Sequence, residues 1–153
     1  MHRKRTPEQW TSGEDACVRV LLECEPEAAP SIIASVIERE GYAVRTCTGP
    51  NAGRCDLLAS GSCSLVDGAD VVVNMLHTRG RGRRVLDRVM GLRRPPAVIT
   101  EMTRPQLAAA GGQDGEAPPL DLDRVTVVET PVNGKALLEA IDAAADGRTG
   151  TAR

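Results

Sequence analysis

The segment Ala69-Asp70-Val71-Val72-Val73-Asn74-Met75 predicts the kind of β-sheet in this protein. Its three consecutive valines form an uninterrupted β-branched run, whereas a strand with one solvated face alternates apolar and polar residues. A strand of this composition is buried on both faces, as the strands of parallel sheets are. The segment therefore predicts a parallel sheet covered by helices on both sides.

The elements predicted on either side of this strand alternate between strand and helix. The clearest helix signal is in the first predicted helix. Its apolar residues have the spacing of a helix packed on a core: Ala29, Ile32, Ile33, Val36 and Ile37. Alternation predicts an α/β domain, and five strands favour the flavodoxin-like order 2-1-3-4-5. The predicted strands are residues 17–23, 42–47, 69–75, 97–100 and 124–129, and the predicted helices are residues 27–40, 83–92, 104–110 and 133–145.

The segment 48–68 interrupts this alternation. It is rich in Gly and Ser and contains Cys55 and Cys63, so we expect an irregular Cys/Gly-rich segment in place of the second helix, with at most a short helical turn or a small hairpin. The polar ends of the chain show no periodicity. We therefore expect flexible tails at residues 1–16 and 147–153 around one domain at residues 17–146.

Composition excludes several classes of protein. The chain has 153 residues, which is the size of one domain, and a formal net charge of −2, which does not favour nucleic acid or a membrane surface as a partner. Aromatic residues make up 1%, too few for base stacking. No apolar run approaches the roughly 18 residues of a membrane span, and the polar start does not look like a signal peptide. We expect a cytoplasmic protein.

The ends of the predicted strands resemble those of the response-regulator receiver (CheY-like) family, and the likeness covers residues 18–145. It rests on the pattern of elements together with four short motifs, because each motif alone is weak. The motifs are Val20-Leu21-Leu22-Glu23-Cys24-Glu25-Pro26, Val71-Val72-Val73-Asn74-Met75, Ala97-Val98-Ile99-Thr100 and Val127-Val128-Glu129-Thr130-Pro131.

The first departure from the family concerns the phosphorylation chemistry itself. The resemblance implies an acidic pair after the first strand that holds Mg²⁺, but Cys24 stands beside Glu23 where the second carboxylate belongs, and Mg²⁺ prefers oxygen ligands. It also implies an aspartate acceptor at the end of the third strand, where this chain has Asn74 or Met75, depending on a register of one residue. Neither side chain can form an acyl phosphate.

The second departure concerns the groups that read the phosphate. The family's switch hydroxyl is matched by Thr100, but its lysine is replaced by Thr130. The resemblance therefore implies a degenerate pseudo-receiver: a signalling protein, not an enzyme, that is not phosphorylated on Asp. It implies action by contact with a protein partner of unknown identity, or in a homodimer, through the family's face of helix 4, strand 5 and helix 5, here the predicted helix 104–110, strand 124–129 and helix 133–145.

The cysteines offer an alternative of another class, a metal or redox sensor on the same fold. Cys47, Cys55 and Cys63 are evenly spaced around the irregular segment. With Cys24 as a fourth ligand they could hold zinc or an iron–sulfur cluster, although no C-x-x-C pair is present, and small buried cysteines also occur without any function. In the main interpretation the protein needs no cofactor.

The stretch 77–94 is rich in arginine and follows the third strand. Arg79, Arg81 and Arg83 are candidate contacts for an anion such as a nucleotide or phosphate, while a solvated helix face is the simpler interpretation. His77 could act as a base near the pocket, but no nucleophile with a fixed partner accompanies it. A flavin site is disfavoured because the loop after the first strand is acidic.

Overall fold

The computed structural model describes residues 9–14, 17–50, 53–76, 80–109 and 120–151. Five parallel strands form one sheet in the order β2-β1-β3-β4-β5, which confirms the predicted fold class and strand order. The strands are β1 (Arg19–Cys24), β2 (Ala43–Cys47), β3 (Val71–Met75), β4 (Ala97–Met102) and β5 (Thr126–Glu129). The helices are α1 (Pro30–Glu38), α2 (Asp56–Ser60), α3 (Ser64–Asp67), α4 (Gly80–Met90), α5 (Arg104–Ala109) and α6 (Gly134–Thr151).

Each face of the sheet has its own buried cluster. Successive side chains of a strand point to opposite faces, so Leu21 and Val72 lie on one side, while Val20 and Val71 lie on the other. The first side packs against α2, α3 and α4, and the second packs against α1 and α6. The valine run of β3 is buried on both faces, as its composition predicts.

The first helix begins later than predicted. Residues Pro26–Ala28 form a short 3₁₀ helix, and Ala29 then adopts a left-handed conformation with φ of 53°. This residue separates the two helices, and α1 starts at Pro30, where proline's fixed φ fits the first helical position.

The irregular segment contains two short helices, α2 and α3, and no strand among its described residues, so the hairpin alternative is wrong. Leu57, Leu65 and Val66 are buried against the sheet, which anchors the segment. The left-handed Gly61, with φ of 84°, ends α2 after less than two turns.

The tail predicted at residues 1–16 is packed in part. The Trp10 indole N–H donates to the Leu65 carbonyl at 2.9 Å, and the Arg19 and Arg45 guanidinium groups lie 5.7 and 5.3 Å from its ring centroid. A Cβ atom at Gly68 would collide with the Trp10 ring, so the close approach depends on glycine. Tertiary contact with one aromatic side chain overrides the polar local sequence here.

The other predicted tail is also shorter. Helix α6 continues to Thr151 instead of ending at Ala145, and no proline within it interrupts its hydrogen bonds. Across the described ranges, no helix is long and apolar enough to cross a membrane.

Candidate functional site

Three polar side chains form one row inside the sheet. The register pairs Glu23 of β1 with Asn74 of β3, and Asn74 with Thr100 of β4. Residues paired in adjacent parallel strands point to the same face, here the face covered by α2, α3 and α4. Glu23, Asn74 and Thr100 are 3%, 1% and 0% exposed, respectively, which makes this row a buried polar layer at the carboxyl ends of the strands.

Glu23 and Asn74 are bonded to each other. The Asn74 amide Nδ2 donates to the Glu23 Oε1 at 3.3 Å. Burial removes the Glu23 carboxyl from water and raises its pKa from 4.5 to about 7, against the smaller lowering effect of the Asn74 bond. Near neutral pH this carboxyl is therefore divided between its protonated and ionised forms.

Thr100 lies next in the row, with a hydroxyl that has no partner. Its Oγ1 is buried, and it neither donates nor accepts a hydrogen bond within the described residues. An unpaired buried hydroxyl costs on the order of 1–3 kcal/mol, so the row is not a fully satisfied network.

Apolar side chains close the row at the edge of the sheet. Leu76 and Met102 follow Asn74 and Thr100 by two positions and belong to the same buried cluster, with exposures of 2% and 1%. Gly49, with φ of 76°, passes so near Leu76 that an added Cβ would come within 2.9 Å of its Cδ2. The row is therefore sealed from solvent where a receiver would need access for a phosphodonor.

The structure places Met75 and Cys24 on the opposite face. Met75 packs against the cluster that contains Cys24, which is 0% exposed. Asn74, not Met75, thus lies on the same face of the sheet as Glu23. Cys24 cannot join Glu23 in holding a cation, because adjacent residues of a strand point to opposite sides. Burial raises the pKa of the Cys24 thiol to about 11, followed by smaller effects of Glu25 and Glu101.

Thr130 lies at the exposed end of β5. Its hydroxyl donates to the Glu101 Oε1 at 2.9 Å, and its backbone N–H donates to the Met102 carbonyl at 2.9 Å. A carboxylate neighbour at this position would repel a phosphoryl group, where the resemblance implies an attracting lysine.

Three of the four candidate cysteine ligands lie on one side of the sheet, and the fourth lies on the other. Cys47, Cys55 and Cys63 all pack against the cluster that contains Leu21, while Cys24 lies across the sheet. Burial raises the pKa of Cys47 to about 11, with Glu23, Cys63 and Cys55 as smaller contributors, and burial also raises the pKa of Cys63.

These thiols do not form a ready metal site. No group of three or more His, Cys, Asp or Glu side chains in the described part of the chain is arranged to hold a metal ion. A raised pKa also keeps the thiol protonated, whereas a metal ligand is a thiolate. The geometry therefore gives no support to zinc or an iron–sulfur cluster.

The three arginines that were candidate anion contacts have different environments in the structure. Arg79 and His77 lie outside the described residues. Arg83 pairs with Asp87 one turn along α4, with Nε 2.9 Å from Oδ1, while Arg81 is exposed. Arg84, which the sequence analysis did not single out, lines the same groove as Arg81. Their i, i+3 spacing on one helix was the available signal.

Solved structures with a similar fold include response-regulator receiver domains. A response regulator receiver domain protein from Clostridium thermocellum aligns with a TM-score of 0.63 at 18% identity, over 86% of this chain and 97% of that one. The CheY-like receiver domain protein from Methanospirillum hungatei JF-1 gives 0.61 at 17%, over 89% and 99%. A response regulator from Burkholderia pseudomallei with a phosphorylated aspartic acid, calcium ion and citrate gives 0.52 at 18%, over 88% and 72%.

Sequence comparison adds no closer relationship. No protein-family model and no curated protein matches the chain. Identities of 17–18% are evidence of a shared fold, and function has to be argued from the site. The strand order, the sheet register and these structural neighbours together show that the chain has the fold of the response-regulator receiver domains.

Proposed function

We propose that this protein is a pseudo-receiver, a signalling protein that regulates a protein partner by contact and takes no phosphoryl group on an aspartate. The observation that carries the proposal is the amide of Asn74, which is buried and bonded to Glu23, and Asn74 is one of the two residues that the resemblance puts at the acceptor position. An amide is not a nucleophile toward phosphorus, so the first step of receiver chemistry is missing.

The surroundings of Asn74 support the same proposal. Leu76 and Met102 seal the pocket, and Cys24 points away from it. Thr130 is paired with Glu101 in place of a cation. Restoring one of these positions would leave the others unsuited to a bound phosphate and Mg²⁺.

The proposed partner surface is the face formed by α5, β5 and α6. Its described part is polar, with ion pairs between Arg104 and Glu129 at 3.7 Å and between Lys135 and Glu139 at 4.0 Å. Exposed pairs of this kind contribute little to folding, which leaves these charges available for recognition of a charged protein surface. We also propose that the protein is cytoplasmic and has no enzymatic activity of its own.

Titration with Mg²⁺ and beryllofluoride, followed by amide NMR, tests the missing phosphate site. Beryllofluoride mimics a phosphoryl group on an aspartate, so we expect no saturable shift of the Asn74 or Thr100 amides. A receiver domain with an intact aspartate serves as the positive control. A saturable shift at these two amides, dependent on Mg²⁺, would sink the proposal.

A cysteine-based sensor remains the second candidate, because Cys47, Cys55 and Cys63 pack on one side of the sheet, where the charges of Cys63 and Cys55 add to the raised pKa of Cys47. Protein purified without oxygen should contain five free thiols and no stoichiometric metal if the pseudo-receiver is correct. One metal per chain that disappears in Cys55→Ser, with Cys17→Ser as the exposed control, would favour the sensor instead.

A further inference from the structure

A groove on the protein surface collects positive charge. It lies between α2 and the first turns of α4 and has a volume of about 290 Å³. Arg54, Arg81 and Arg84 line it, and none of the described residues in its wall is acidic. The remaining wall is apolar, with Pro50, Leu58 and Ala59. This volume is close to the lower end of the range for small-ligand sites, about 300 Å³.

The charges of this groove are available to a ligand. Arg81 and Arg84 have no ion pair with any carboxylate of the described residues. Arg54 lies 3.4 Å from Asp56, but both side chains are exposed, at 72% and 67%. An exposed pair of this kind is weak, and an anion of higher charge can replace it.

The position of the groove at α4 favours anions further. Arg81 and Arg84 lie in the first turns of an eleven-residue helix that begins at Gly80. Backbone N–H groups and the helix dipole favour negative charge near such a terminus. Guanidinium groups add planar, charged donors that match phosphate oxygens in pairs.

We propose that this groove binds the diphosphate group of a small molecule, a role that goes beyond the proposed pseudo-receiver function and does not depend on it. Three guanidinium groups around a site of this size suit a diphosphate better than a single phosphate, because the diphosphate presents more charge and more acceptor oxygens. The same groove is also lined by Pro50, Leu58 and Ala59, which offer apolar contacts to the organic part of a nucleoside diphosphate.

Isothermal titration calorimetry of the full chain, with pyrophosphate and ADP as probes at constant ionic strength, tests this site. Both probes should bind saturably, and sulfate should bind at least about tenfold more weakly, because it offers less charge. The double variant Arg81→Gln/Arg84→Gln should weaken both probes by about tenfold or more, since charge-assisted bonds are lost.

Two further variants distinguish binding in the groove from nonspecific attraction of anions to the positive charge of the protein. Arg93→Gln/Arg94→Gln removes the same charge from exposed positions beyond α4 and should leave affinity unchanged. Ala59→Glu places a carboxylate in the groove at an exposed position of α2 and should abolish binding without unfolding the protein, as circular dichroism would show. No binding by the natural chain, equal binding of sulfate, or equal loss in the Arg93/Arg94 variant would each overturn the proposal.

Discussion

Asn74→Asp is expected to destabilise the protein strongly above neutral pH and to leave it unable to accept a phosphoryl group. The substitution replaces an N–H donor, 3.3 Å from the Glu23 Oε1, by a second carboxyl oxygen. Two buried carboxyl groups at this distance cannot both ionise without a large cost. The loss in the free energy of unfolding should be about 3 kcal/mol at about pH 8, the lower end for an uncompensated buried charge.

The pH dependence distinguishes this effect from simple loss of packing. At about pH 4.5 the two carboxyl groups can share a proton, so the loss should fall to about 1 kcal/mol. Urea denaturation at both pH values measures the difference. Asn74→Leu, which removes the hydrogen bond without adding a charge, is the matched control and should show much less change between the two pH values.

A stable Asn74→Asp variant would contradict the sealed pocket. If that variant matched the natural chain in stability at about pH 8, water or cations would have to reach the row despite Leu76 and Met102. If it also gained a phosphoryl group, the pocket would retain working receiver chemistry, and the natural chain would be one substitution from a switch.

Glu23→Gln is expected to stabilise the protein at about pH 8 by up to about 3 kcal/mol. Burial raises the folded-state pKa of Glu23 from 4.5 to about 7, so the folded state holds its proton more tightly than the unfolded chain does. Between these two values the unfolded state binds fewer protons, and the stability of the natural chain falls as pH rises. A glutamine does not titrate and avoids this loss.

The gain should therefore depend on pH with a definite sign. It should be near zero at about pH 4.5, grow between about pH 4.5 and 7, and stay constant above that range. The introduced glutamine amide would keep an oxygen acceptor for the Asn74 amide. Glu38→Gln, at an exposed position of α1, controls for the loss of one negative charge, and a constant gain at every pH would contradict the burial of Glu23.

The fold was predictable because its signals are local. Val71 to Val73 indicated a strand buried on both faces, and the alternation of strand and helix then left few arrangements of a parallel sheet. The irregular segment 48–68 was not predictable in detail. Its helices α2 and α3 are short and are held by burial of Leu57, Leu65 and Val66, which is a tertiary effect that no periodicity over so few residues indicates.

The candidate site was predictable in its residues but not in its geometry. Glu23, Thr100 and the alternatives Asn74 and Met75 stood out because the resemblance to receivers puts functional residues at these strand ends. That Asn74 and not Met75 shares a face with Glu23 required the register. The contribution of Trp10 was missed because its partners, Leu65, Arg19 and Arg45, are distant in sequence. Likewise, the groove was missed because Arg54, just before α2, lines it together with Arg81 and Arg84 of α4, which are distant in sequence.

Intact-mass spectrometry after incubation with Mg²⁺ and acetyl phosphate measures directly whether the protein takes up a phosphoryl group. We expect the natural chain to keep its mass under conditions that phosphorylate a receiver with an intact aspartate, since Asn74 offers no carboxylate and the row around it is sealed. A gain of one phosphoryl group that is released by hydroxylamine, as an acyl phosphate is, would contradict this expectation.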